Sequence, residues 1–138
     1  MTTTTAGTSG TDDPGYTRTW PCEPESAQRA RRLVSTALAL WGMGDVAAAG
    51  ELIASELVTN AVNHSARRDF RIRISRLGPG TVRILVADTN REEPVPRDPG
   101  DDTENGRGLR LVEALSTEWG CDPRPWGKVV WAELRTTT

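Results

Sequence analysis

Phe70-Arg71-Ile72-Arg73-Ile74 and Val82-Arg83-Ile84-Leu85-Val86-Ala87-Asp88 both read as strands, and only a short turn built on Leu77-Gly78-Pro79-Gly80 separates them. Apolar residues recurring with period two mark a strand with one buried face. So short a link cannot join parallel neighbours, which need a crossover of about a dozen residues or more. The two stretches therefore form an antiparallel hairpin, and any fold for this chain must be built around it. The same parity has a second consequence. Asp88 shares the face of Val82, Ile84 and Val86, so a carboxylate ends a strand on its inward side.

The flanking segments supply two layers. Tyr16-Thr17-Arg18-Thr19-Trp20 fits an edge strand that Pro21 and Pro24 close. Ser26 is expected to N-cap a helix running to about Trp41, with Ala30, Leu33, Val34, Ala37, Leu38 and Trp41 on one apolar face. Gly42 and Gly44 break it. A second helix is expected from about Asp45 to His64, its apolar side carrying Leu52, Ile53, Leu57, Ala61 and Val62. Thr89 to Asn105 is a long polar loop, rich in Pro, Asp and Glu; such loops are either functional or disordered. Gly106-Arg107-Gly108 then opens a third helix with Leu109, Leu111, Val112 and Leu115. Trp119-Gly120-Cys121 reads as a short strand, and Gly127 to Leu134 as the last one. The tryptophans are expected mostly as core anchors.

Strands that come in consecutive pairs, with segregated helices, call for an α+β two-layer sandwich. The sheet is expected to be mixed but mostly antiparallel, with the helices on one face. Residues 1–15, rich in Thr, Gly, Ser and Asp, bury too little to order themselves and are expected as a flexible tail, leaving 16–138 as one domain.

Composition removes several function classes. A net charge of -2 gives no basic excess for phosphate backbones, so no direct nucleic-acid contact is expected. Mean hydropathy is -0.49. No apolar run approaches the roughly 20 residues that cross a bilayer, and the opening residues lack the basic-then-apolar order of a signal peptide. A cytoplasmic protein without membrane contact is the expectation. Cys22 and Cys121 would then stay free thiols. The sole histidine and two cysteines show no zinc spacing.

The second helix carries Glu51, Glu56, Asn60, Asn63 and His64. Glu56 and Asn60 are i and i+4 and project from one face. Two readings stand for such a pair: a solvent-facing stripe, or a site that meets a ligand. Asp88 at its strand end, Gly106-x-Gly108 after the loop and Gly127-Lys128 before the final strand complete an ordered set that favours the second.

Glu56-Leu57-Val58-Thr59-Asn60-Ala61-Val62-Asn63-His64 resembles the N-box of Bergerat-fold (GHKL) ATPases, in the form typical of anti-sigma-factor serine kinases. Val86-Ala87-Asp88 is similar to the strand that ends in their adenine-binding aspartate. Gly106-Arg107-Gly108-Leu109-Arg110-Leu111-Val112 resembles their second glycine box. The similarity spans about Ser26 to Leu134. It implies a Bergerat sandwich whose long loop is an ATP lid. Asn60 would offer its carbonyl oxygen to Mg²⁺, and Asp88 would accept from the amine of adenine. Backbone N–H groups around Gly106–Leu109 would meet the phosphates at a helix N-terminus. Glu56 would be the general base, and Arg107, Arg110 and Lys128 would be contacts to the γ-phosphate. Arg110 also reads as an exposed helix charge. Asn63 and His64 would reach phosphates or the lid, with a helix-end role open for His64.

The resemblance implies a serine protein kinase that doubles as a binding switch. It would hold a sigma factor or similar regulator and phosphorylate a small antagonist protein on serine; related switch proteins are often dimers, which makes a homodimer one expectation. The alternative is a non-catalytic ATP-binding interaction module. Two departures are visible: Thr89-Asn90-Arg91-Glu92 follows Asp88 where glycines are usual, and Lys128-Val129 stands where a small hydroxyl residue is common. A sensor histidine kinase would need a phosphoacceptor helix, and the one histidine lies inside the N-box. P-loop and eukaryotic-type kinase motifs are missing.

Overall fold

The computed structural model describes residues 14–64, 68–89 and 104–136, with the backbone alone for His64 and residues 104–108. In chain order the elements are β1 (Gly15–Pro21), α1 (Glu25–Leu40), a one-turn 3₁₀ helix (Gly44–Val46) and α2 (Ala47–His64). They continue with β2 (Asp69–Gly78), β3 (Thr81–Asp88), α3 (Glu104–Leu115), β4 (Glu118–Arg124) and β5 (Gly127–Arg135). The strands form one sheet in the order β1-β2-β3-β5-β4. Every neighbouring pair is antiparallel. The helices cover one face, giving the expected α+β sandwich.

The core lies between the layers. Ile53, Leu57 and Val58 of α2 meet Ile72 and Ile74 of β2, Ile84 and Val86 of β3, and Ala132 of β5, all at most 2% exposed. The parity argument holds along β3, where burial alternates strictly and Asp88 falls on the buried side. The β2–β3 hairpin is longer than its sequence suggests. Leu77 and Gly78 belong to the strand, with a register shift between Arg76 and Gly78. Gly80 takes the turn with φ of 76°, a left-handed value that a side chain disfavours.

Helix boundaries differ from expectation for local reasons. Ser26 is not the N-cap of α1. Pro24 precedes the helix with φ of -56°, already suited to its first turn. The Ser26 hydroxyl instead donates to the Pro21 carbonyl at 2.6 Å, tying helix to strand. At the other end Gly42, with φ of 70°, stops the helix at Leu40. Trp41 is thereby released to stack on Tyr16 at 5.9 Å. The second helical segment divides, with Gly44–Val46 as 3₁₀ before α2 begins at Ala47. The third helix starts two residues earlier than its glycines, at Glu104.

The tryptophans are a correction. None is among the buried core residues, and Trp126 is 51% exposed in the last turn. Trp131 points away from the helices, where Arg83 lies 4.9 Å over its ring. Trp20, Trp41 and Trp119 flank the core rather than fill it. The tail at 1–13 and most of the polar loop, with Pro94 and Pro96, lie outside the described residues.

Candidate functional site

Chain direction gathers the chemistry at one end of the sheet. In the registers, Pro21 pairs with Asp69, Arg71 with Ala87, and Asp88 with Lys128. These positions share an end, as does the C-terminal turn of α2, which leads into β2 within a few residues. α3 hands over to β4 at the opposite end, where Glu118 pairs with Glu133. Its opening turn, with Gly106 and Gly108, therefore points back toward the Asp88 end.

On α2, Asn60 continues the buried stripe of Ile53 and Leu57, and is itself only 4% exposed. Among the described residues nothing hydrogen-bonds its side chain. A buried amide left so costs about 1–3 kcal/mol, which a ligand or water would relieve. Glu56, one turn earlier, is half-buried at the edge of that stripe, and Asn63 is exposed. Leu109 is buried and Arg110 exposed, so Leu109 anchors α3 while Arg110 faces solvent. The side chains of His64, Gly106, Arg107 and Gly108 lie outside the described residues, though their backbone is helical.

The two residues assigned to opposite ends of a nucleotide are in contact. Lys128 Nζ donates to Asp88 Oδ1 at 3.2 Å, with side-chain exposures of 1% and 2%. Both sit on the inward face as cross-strand partners. Their backbones are pinned together by Gly127, where a Cβ would lie 2.0 Å from the Asp88 carbonyl oxygen. Only glycine fits there.

Cys22 completes this end and was missed by sequence reasoning. Its backbone N–H donates to the Arg68 carbonyl at 2.7 Å. Burial, and then the negative charges of Asp88 and Asp69, push its thiol from 9.0 up to about 11. The thiol therefore stays protonated at neutral pH. Pro21 sits opposite Asp69 only through the β1–β2 register, which no local motif announces.

Residues 20–134 match the family model of the histidine kinase-like ATPase domain. The chain belongs to that family. As a GHKL-type ATPase domain, it has the capacity for ATP that this fold carries. A solved structure of the RsbU and RsbW domains of Rv1364c from Mycobacterium tuberculosis is similar at 22% identity and a TM-score of 0.67, covering 89% of this chain. The histidine kinase domain of the Erythrobacter litoralis EL346 blue-light activated histidine kinase is similar at 22% identity and a TM-score of 0.51, covering 85% of this chain. Likeness at these identities shows the fold. The chain spans 32% and 62% of those two structures respectively. No significant match was found among curated proteins. No helix among the described residues is long and apolar enough to cross a membrane.

The residues present fit a nucleotide with its magnesium ion. A buried carboxylate can accept from a base amine, and a buried amide can offer its carbonyl oxygen to a hard cation. Mg²⁺ takes oxygen ligands and keeps most of its water, so it needs few protein donors. The described residues hold no cluster of three His, Cys, Asp or Glu side chains, and a site shared with phosphate oxygens needs none.

Proposed function

We propose that this ATPase-fold domain is a serine protein kinase acting as a regulatory switch, holding a sigma factor or similar regulator and phosphorylating a small antagonist protein. The observation that carries the reading is on α2. Asn60 is buried with its amide unsatisfied among the described residues, and Glu56 stands one helical turn away, half-exposed. A cation site alone would not need that carboxylate.

In this reading Asn60 would hold the metal through its side-chain oxygen, and Asp88 would orient the base. A bound Mg²⁺ would supply charge compensation to the phosphates. The first turn of α3 offers backbone N–H groups to the same phosphates. Glu56 takes the proton from the substrate serine hydroxyl as its oxygen bonds to the γ-phosphorus. The bond from that phosphorus to the bridging oxygen breaks, and ADP leaves with the electron pair. Partial exposure suits Glu56, since a protein substrate must reach it.

Incubation with labelled ATP–Mg and small antagonist proteins tests this. Label should appear on a substrate serine. Glu56→Gln should cut the transfer about a hundredfold or more while leaving ATP bound. Unchanged transfer in that variant would refute the catalytic assignment. One observation favours the non-catalytic alternative: no glycine follows Asp88, the next residues being Thr89-Asn90-Arg91-Glu92. That version predicts ATP binding by the wild type without any label transfer.

A further inference from the structure

We propose that Lys128 reads the nucleobase jointly with Asp88: the carboxylate accepts from the amine of a 6-aminopurine, and the ammonium donates to the ring nitrogen beside that amine. This rests on the nucleotide reading of the site given above.

Lys128 is a buried lysine at the end of the sheet where α2 and α3 converge. Its ammonium is held 3.2 Å from the Asp88 carboxylate, and neither side chain is more than 2% exposed. The position is fixed by the backbone. Lys128 faces Asp88 across the β3–β5 ladder, and Gly127 lets that strand start directly against the Asp88 carbonyl.

Two other roles for this lysine are less consistent with that geometry. A contact to the γ-phosphate would bring a dianionic group toward an ammonium whose neighbour is already a carboxylate. Asp88 would cancel much of the attraction and repel the phosphate directly. A gate, in which the base amine displaces Lys128 from Asp88, would break an ion pair between two buried charges. Removing one member of a buried pair is costly because the other charge is stranded. The ligand that costs least leaves the pair intact and meets both members together.

Their hydrogen-bonding capacity suits one edge of adenine. A carboxylate can accept about four hydrogen bonds and an ammonium can donate three, so their mutual bond uses one of each. The 6-amino group and N1 of adenine present a donor and an acceptor side by side. Guanine presents O6 and N1–H there, the reverse order, and would set its acceptor against the carboxylate.

Calorimetric titration of the full chain tests this with ATP, ADP and the ATP analogue in which N1 is replaced by C–H. The wild type should bind the analogue about tenfold to a hundredfold more weakly than ATP, as expected for one charge-assisted hydrogen bond. Lys128→Met should weaken ATP and ADP equally and should no longer distinguish ATP from the analogue. Equal binding of ATP and the analogue by the wild type overturns the inference, and needs no folded variant. So does a Lys128→Met variant that weakens ATP but not ADP, which would make Lys128 a phosphate contact. Tighter ATP binding by that variant would make it a gate instead. A wild type that binds no nucleotide at all sinks the nucleotide reading itself, and the base contact with it.

Discussion

The β3–β5 ladder carries two cross-strand ion pairs, and they could hardly be less alike. Near its outer end Arg83 pairs with Glu133 on the face turned away from the helices. Both Nε, at 2.9 Å, and a terminal nitrogen of Arg83 donate to one Glu133 oxygen, and the guanidinium also lies over Trp131. Arg83 remains 38% exposed there. At the inner end Lys128 Nζ lies 3.2 Å from Asp88 Oδ1 in an almost sealed setting. The outer pair is what any half-wet sheet face would choose. The inner pair demands the desolvation of two charges, which Coulomb attraction often only balances. Two strands of one sheet thus separate an ordinary structural contact from one retained at a cost to stability. The proposed base contact gives the inner pair a use that the outer pair lacks.

That contrast can be broken most sharply by deletion. Asp88→Ala strands the buried Lys128 ammonium and should cost about 3–5 kcal/mol, measured by urea unfolding. The double variant Asp88→Leu with Lys128→Met should recover most of that stability while still failing to bind nucleotide. A single variant as stable as wild type would show that the pair is not sealed. Next in size is Cys22, at the same end. A thiol raised from 9.0 to about 11 holds about a hundredfold less thiolate at pH 8. Its greater intrinsic nucleophilicity restores part of that, so alkylation should run roughly tenfold slower than in the unfolded chain. The sign for stability follows from the direction. The folded protein holds this proton more tightly, so the contribution is complete below pH 9, and is lost as pH rises toward 11. Cys22→Ala should flatten that decline, and an unchanged profile would show that the thiol is not held away from water as described. The smallest effect belongs to the outer pair. Glu133→Gln should cost about 1 kcal/mol or less, with a dependence on salt that the inner pair lacks.

Much of this arrangement was legible before any coordinates, and the limits are instructive. Alternation through Phe70, Ile72 and Ile74, and through Val82, Ile84 and Val86, gave the central hairpin and put Asp88 indoors, since parity is a local property. Helical spacing likewise put Asn60 one turn from Glu56 on the same face of α2, but did not tell whether that face met solvent or the interior. What failed was non-local or ambiguous. Val129-Val130-Trp131-Ala132 offers no polar contrast, so the outward direction of Trp131 could not be read. Ser26 has the chemistry of an N-cap, but Pro24 already begins the helix and the Pro21 carbonyl captures its hydroxyl. The neighbours of Asp88 depend on β5 inserting between β3 and β4. That order appears in no motif, so the contact between Lys128 and Asp88 could not be read, and Cys22 was hidden in the same way by the β1–β2 register. Counting back from Ala132 and Val130 would have turned Lys128 inward and flagged a buried lysine in need of an anion.

The central claim is that the inner end of this ladder, and not the outer, is a ligand site. Amide chemical shifts of the isotopically labelled 15.0 kDa protein, followed while ATP–Mg²⁺ is added, address it directly. The account predicts saturable shifts at Asn60, Ala87, Asp88, Lys128 and Val129, with Arg83, Trp131 and Glu133 unmoved. Shifts centred on the Arg83–Glu133 end, or none at millimolar nucleotide, would contradict it.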